Sequence, residues 1–303
     1  MKNAVRQEIL SGIQAIEKNR DLISERNFLS RTQALDDIEF LIIDRLHAIK
    51  ESGDSSGWIN KFIQHAEKVY RQLEAVNSKM FVRLRSEISL GKYRQDDLIQ
   101  LIDEYLDHHL DEFLQQHTAG YDDLDIFING ILTYRELPPE TIAREPDMVF
   151  YQKTPARIVF ELVKKTDFQS HDVFYDLGSG LGQVTLLVHL LTSVDSKGVE
   201  REPVYCEYAK TCASELNLDA VDFLNADARQ ADYSDGTVFF LYSPCKGKIL
   251  RDVLGNLYAK TGDRKIRIFS YGSCTQEIQK QDWLRPVHEI QNSVVELAEF
   301  ERI

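Results

Sequence analysis

Along the first third of the chain, apolar residues return every three or four positions. Val5, Ile9, Ile13 and Ile16 form one stripe, and Ala34, Leu35, Ile38, Leu41, Ile42 and Leu46 form a second. A polar break at residues 51–57 follows. Ile59, Ile63, Ala66, Tyr70, Leu73, Val76, Met80 and Leu84 then make a long third stripe, which Gly91 ends. Leu98, Leu101, Ile102, Tyr105, Leu106, Leu110, Phe113 and Leu114 make a fourth. This spacing gathers the apolar side chains on one face of a helix, and such a face has to be buried. Four antiparallel helices with short connections are predicted, an all-α bundle whose second helix is capped by Ser30 or Thr32. One more short amphipathic helix is expected over 121–132. Pro138, Pro139 and Pro146 then mark irregular chain.

After residue 146 the pattern changes. A helix with Ile158, Val159, Leu162 and Val163 on one face precedes an apolar run at 172–176. That run stops at an acid, passes three glycines at alternate positions and opens into Val184, Leu187, Val188 and Leu191 at helical spacing. Further strands are predicted at 197–200, 221–225, 237–242 and 265–271, with a helix at 246–260. Two β-prone runs, 287–291 and 294–301, flank a turn at Asn292-Ser293. The alternation predicts an α/β domain with a Rossmann-like, mostly parallel sheet over residues 136–303, preceded by a helical N-terminal domain over 1–135.

The chemistry concentrates at Asp176-Leu177-Gly178-Ser179-Gly180-Leu181-Gly182-Gln183. Gly178, Gly180 and Gly182 let a ligand approach the backbone, and the helix that follows offers free N–H groups. Dinucleotide-binding loops run G-x-G-x-x-G, whereas residue 183 here is Gln. A carboxylate at 176 repels a pyrophosphate and suits a cationic amino-acid group, such as the ammonium of S-adenosylmethionine. Glu200 ends the second strand about 20 residues past the loop, where such folds grip ribose hydroxyls. Asp227, in the loop with Ala228 after the third strand, is placed to accept from an adenine amino group. The fourth strand ends at Tyr242-Ser243-Pro244-Cys245 on the same edge of the sheet.

This order of glycine loop, Glu200, Asp227 and Ser243-Pro244 resembles class I S-adenosylmethionine-dependent methyltransferases, over roughly residues 145–300. The loop 176–184, with its Gln, is very similar to that of the disruptor-of-telomeric-silencing histone lysine methyltransferases. The resemblance implies that Asp176 and Gln183 hold the methionine part of S-adenosylmethionine, that Glu200 holds the ribose and Asp227 the adenine. It also implies a terminal antiparallel strand pair. One departure is Tyr242-Ser243-Pro244-Cys245, where the family has an Asn-Asn-Phe-type segment. In methyltransferases the chain before the first strand often covers the cofactor. Tyr151, Gln152 and Thr154 stand where such a lid touches the methionine carboxylate, or they simply start a helix behind Pro155. Ser179 completes the loop. Tyr242 and Ser243, with Tyr151, are candidates for the methyl-transfer site, or are packing residues.

Composition narrows the partners. The 303 residues carry a net charge of −13 with a pI near 5.1, which disfavours long nucleic-acid duplexes. A locally basic stretch runs from Lys61 to Arg94, and an acidic one from Asp96 to Asp147 includes Asp103, Glu104, Asp107, Asp111, Glu112, Asp122, Asp123 and Asp125. Those acids either attract a basic protein segment to the site or serve as solvated helix faces. No apolar run is long enough to span a bilayer, and the first eight residues lack the apolar core of a secretory signal, so a cytoplasmic location without membrane contact is expected. The four cysteines have no zinc-ligand spacing and are expected to be buried free thiols, and the adjacent His108 and His109 are expected on a helix surface and not at a metal. The expected activity is methylation of a protein lysine. Methylation of RNA or a small molecule is the alternative, and a non-catalytic scaffold is the alternative of another class; the complete set Asp176, Glu200 and Asp227 argues against the scaffold.

Overall fold

The computed structural model describes residues 2–53, 56–106, 110, 120–133 and 136–303. His108 and His109, the acids Asp107, Asp111 and Glu112, and Phe113 and Leu114 of the fourth stripe lie outside the described residues. Two compact units are present, Met1–Leu84 with Leu101–Leu110, and Arg85–Gln100 with Asp111–Ile303.

The first unit is helical. It is built from α1 (Lys2–Lys18), α2 (Phe28–Asp36), α3 (Asp44–Glu51), most of α4 (Gly57–Ser89) and the end of α5 (Asp96–Leu106). A π-helical stretch, Asp37–Ile43, joins α2 to α3 without a break. Ile9, Ile13, Ile38, Ile42, Leu46, Ile59, Ile63, Ala66 and Leu73 form its core, as the stripes predict. The predicted cap is corrected. The α2 helix begins at Phe28 behind Asn27, and Thr32 lies inside it with its hydroxyl donating to the Phe28 carbonyl, one turn back. A hydroxyl spent in this way cannot cap. Arg31 is fully buried and is satisfied by the Asn77 amide oxygen at 2.6 Å and by the carbonyls of Leu22 and Ser24.

In the second unit, α6 (Asp123–Leu132) and α7 (Ala156–Thr166) precede a seven-stranded sheet of β1 (Val173–Leu177), β2 (Asp195–Glu200), β3 (Val221–Asn225), β4 (Val238–Tyr242), β5 (Arg267–Tyr271), β6 (Leu284–Pro286) and β7 (Ala298–Arg302). Its order is β3-β2-β1-β4-β5-β7-β6, parallel through β5 and antiparallel at β7 and β6. Helices α8 (Gln183–Thr192), α9 (Pro203–Glu215), α10 (Gly247–Thr261) and α11 (Thr275–Ile278) connect the strands. β1, β4 and β5 are buried along nearly their whole length, as strands covered on both faces must be. This is the Rossmann-like class I methyltransferase sheet, and the reversal of strand order between β1 and β4 opens a crevice at their carboxyl ends.

The terminal pair forms, but not where the β-prone runs suggest. Residues 287–291 are irregular, and the outer strand is Leu284–Pro286. Val287, Val294 and Val295 are exposed, so their β propensity brings no burial. The Glu296 carboxylate accepts the N–H groups of Gln291 and Asn292 and closes that stretch as a turn.

Candidate functional site

The glycine loop takes its form from three left-handed residues, Gly178 at φ +88°, Gly180 at +52° and Gly182 at +83°. A side chain at 178 would meet Pro244 at 2.4 Å, and one at 180 would meet the Tyr151 ring at 2.2 Å. The space that other residues would fill is therefore taken by neighbours that close on the loop. The N–H groups of Gly178 and Ser179 both donate to the Val199 carbonyl, which ties the loop to β2.

Asp176, at the end of β1, is 4% exposed, and its carboxyl is pushed up to about 8 by burial and then by the charge of Glu200. Gln183, in the first turn of α8, is equally buried, and neither atom of its amide has a hydrogen-bond partner among the described residues; the Ser179 hydroxyl is in the same position. Leaving buried amides unpaired costs about 1–3 kcal/mol each. A buried acid poised to ionise and, in the same glycine loop, a buried amide with a free donor and a free acceptor fit a ligand that carries an ammonium and a carboxylate.

Glu200 closes β2 and accepts the Gly180 N–H at 2.8 Å on one oxygen and the Glu202 N–H at 2.7 Å on the other. Burial raises its pKa against those backbone bonds. Asp227 is gripped by Arg229, and the charge-assisted bond from that guanidinium holds its carboxyl below the usual range.

A cavity of about 170 Å³ lies along the carboxyl ends of β1, β2 and β4. It brings together Tyr151, Gln152, Gly178, Glu200, Asp227, Ala228, Tyr242 and Ser243. Asp176, Ser179, Gly180, Gly182 and Gln183 lie off that wall, with the Tyr151 ring seated on Gly180. Thr154 is buried and also off the wall. The chain before α7 does cross the cleft. The Val149 N–H donates to the Pro244 carbonyl, Met148 pairs with Cys245, and the Lys246 N–H donates to the Asp147 carbonyl. Thr141 and the Ile142 N–H both donate to Glu202, and the Tyr151 and Tyr205 rings pack with centroids 5.3 Å apart.

At the end of β4, Tyr242 packs against Tyr271, and burial pushes its phenol up to about 12. Ser243 holds φ +41°, a left-handed conformation uncommon outside glycine and frequent at functional edges. Its hydroxyl donates to the Tyr271 carbonyl and accepts from the Cys274 N–H and the Ser273 hydroxyl. One donor and two acceptor positions are all a serine has. On the wall of the cavity, the Ser243 hydroxyl is thus engaged within the turn that it holds.

The acidic run also needs correction. Asp125 is 2% exposed; it accepts the Ala156 N–H at the start of α7 and, with Asp122, forms the capping box of α6. It is a structural acid and not a surface charge. Among the residues that sequence reasoning missed, Glu202 carried a readable signal, an acid directly before Pro203 at a helix start. Arg229 and Glu145 carried none, because they meet across 84 positions.

Residues 147–240 match the family described as histone methylation protein DOT1. No curated protein matches the chain. Among solved structures, an RNA methyltransferase from Salinibacter ruber, in complex with S-adenosyl-L-homocysteine, is 22% identical, covers 50% of this chain and 92% of its own, and has a TM-score of 0.41. A precorrin-6y C5,15-methyltransferase from Geobacter metallireducens is 14% identical over 52% of this chain and 93% of its own, with a TM-score of 0.38. A S-adenosylmethionine-dependent methyltransferase from Thiobacillus denitrificans, also in complex with S-adenosyl-L-homocysteine, is 19% identical over 38% of this chain, which spans 48% of that protein, with a TM-score of 0.32. With a buried acid and an unpaired glutamine at its glycine loop, and with residues 147–240 matching that family, the chain is an S-adenosylmethionine-dependent methyltransferase similar over that stretch to the DOT1 histone methylation family.

Proposed function

We propose that this methyltransferase modifies the side-chain amine of a lysine in a protein, with a catalytic domain over residues 136–303. The supporting observation is the glycine loop, which sits inside the DOT1-matching stretch and presents the unpaired Gln183 amide. In this reading Asp176, Gln183, Tyr151, Gln152 and Thr154 hold the methionine moiety, and Gly178, Ser179, Gly180 and Gly182 give the backbone room. Glu200 holds the ribose, and Asp227 with Ala228 holds the adenine. The bound cofactor supplies a methyl group on a sulfonium. Everything else falls to the chain: it must align the lysine nitrogen behind that methyl, exclude water and keep the amine uncharged. Alignment of this kind supplies about 7–11 kcal/mol of barrier reduction in favourable cases. Tyr242 lines the cavity and packs against the buried Tyr271, and the desolvation there disfavours an ammonium and so favours loss of its proton to solvent before attack. Buried free thiols at all four cysteines suit the reducing cytoplasm.

The test is incubation of the purified chain with methyl-labelled S-adenosylmethionine and a fractionated lysate. Label on lysines of basic proteins supports the reading. Label in RNA or a small metabolite, or unlabelled protein despite normal S-adenosylhomocysteine binding, overturns it.

A further inference from the structure

The acid at the adenine end of the cleft does not stand alone. Arg229 donates to Asp227 through its backbone N–H at 2.9 Å, through Nε at 2.9 Å to Oδ1 and 3.0 Å to Oδ2, and through Nη2 at 2.5 Å. The same guanidinium turns its outer edge to Glu145, with Nη1 at 3.1 Å from one oxygen and Nη2 at 2.7 Å from the other. Arg201 adds a weaker ion pair to Glu145 at 3.6 Å. Glu145 belongs to the segment that crosses the cleft, just before Met148 and Val149. One planar group therefore joins the cofactor acid to the lid.

We propose that Arg229 is a positioning residue for the nucleoside base, and that it makes the lid and the adenine acid close as one unit. The inference rests on the proposed adenine role of Asp227. A carboxylate has about four acceptor positions. The backbone N–H and Nε of Arg229 meet Oδ1, and Nη2 and the same Nε meet Oδ2, so the divided Nε bond holds the carboxylate in one plane, and what it offers to the cavity that Asp227 lines has a fixed direction. A pinned acceptor discriminates because it cannot turn away from a wrong partner. Facing a 6-amino group it gains a charge-assisted bond, whereas facing a 6-oxo group it meets another acceptor. Lysine at 229 would keep the positive charge but lose the fork that spans both carboxylates.

The test measures binding of S-adenosylhomocysteine and of its 6-oxo analogue S-inosylhomocysteine to the full chain, with lid proteolysis as a second readout. The wild type should prefer the adenosyl compound, which should also protect the chain near Glu145. Arg229→Gln should weaken S-adenosylhomocysteine by about tenfold or more, reduce the preference over the inosyl compound toward one, and abolish protection near Glu145. Glu145→Gln should weaken both compounds alike and keep the preference. The double variant should bind no worse than Arg229→Gln alone, since the lid contact runs through Arg229. If Arg229→Gln fails to fold, Arg229→Lys carries the same test, with a partial loss of preference expected. Wild-type affinity in Arg229→Gln, or a loss of affinity with the preference intact, overturns the inference. Failure of the wild type to bind the adenosyl compound would instead defeat the cofactor reading, and this inference with it.

Discussion

Replacing Asp176 by asparagine should make the protein more stable and unable to bind its cofactor. The carboxyl is buried, and its pKa is pushed up to about 8 by that burial and by Glu200, whereas an aspartate in an unfolded chain titrates near about 3.9. A carboxyl whose folded pKa lies above its unfolded one opposes folding wherever the unfolded chain is ionised. The penalty is absent below about pH 4, grows by about 1.4 kcal/mol per pH unit, and is constant above about pH 8. At pH 7 this amounts to about 4 kcal/mol, an upper figure because water entry and local rearrangement reduce it. Asparagine keeps the shape without the charge. The two tryptophans allow a direct assay. Trp58 lies in the helical unit and Trp283 in the same unit as Asp176, so in a Trp58→Phe background fluorescence follows only the sheet unit. Urea unfolding across pH 4 to 9 should show Asp176→Asn gaining at least about 2 kcal/mol at pH 7 and nothing near pH 4. S-adenosylhomocysteine should stabilise the wild type and leave the variant unmoved. A variant that is less stable than wild type, or a gap that does not change with pH, would refute the reasoning.

The same acid predicts proton release. If the ligand ammonium ionises Asp176, binding at pH 7 should release about 0.9 proton, seen by calorimetry in buffers of different ionisation enthalpy; heats that do not depend on the buffer would sink this. Gly180→Ala, at φ +52° and 2.2 Å from the Tyr151 ring, should displace that ring and lower S-adenosylhomocysteine affinity by about tenfold or more, while far-ultraviolet circular dichroism stays that of wild type. Asp125→Ala removes acceptors from the Ala156 and Asp122 N–H groups and should lower the stability of the sheet unit by about 1–3 kcal/mol, read by the same Trp283 signal. Ser243→Ala should lower stability by about 1 kcal/mol in that assay and leave methyl transfer within a few-fold, because its hydroxyl serves Tyr271 and Cys274; a large loss of turnover at unchanged affinity would place it at the acceptor site.

What could be read in the sequence was whatever depends on near neighbours. The glycine loop, the acids that end β1 and β2 and the stripes of α1 and α4 follow from residues within one or two turns of each other, and each lies where expected. The start of α2 was not legible, because Ser30 and Thr32 are as good at capping as any residue, and only the backbone direction at Asn27 decides that the helix has already begun. Both strands of the terminal pair were misplaced for a related reason: valine runs favour strands only when something covers them, and Val287, Val294 and Val295 are left open. Contacts between distant segments, such as Thr141 with Glu202 or Arg229 with Glu145, leave no periodic trace at all.

The cross-connection between the lid and the end of β4 bears on how such an enzyme changes its substrate over evolutionary time. Asp147 receives the Lys248 N–H on its side chain and the Lys246 N–H on its carbonyl, and its carboxylate crowds the position where Gly247 would carry a Cβ. The loop at 243–248 thus shares its backbone register with the segment that crosses the cleft. A graft of that loop from a relative, made alone, would mis-seat the segment at 147–149. Substrate range in this architecture should therefore move in blocks, with residues 147–149 and 243–248 inherited together, and chimaeras that split the two should lose cofactor affinity before they gain any new specificity.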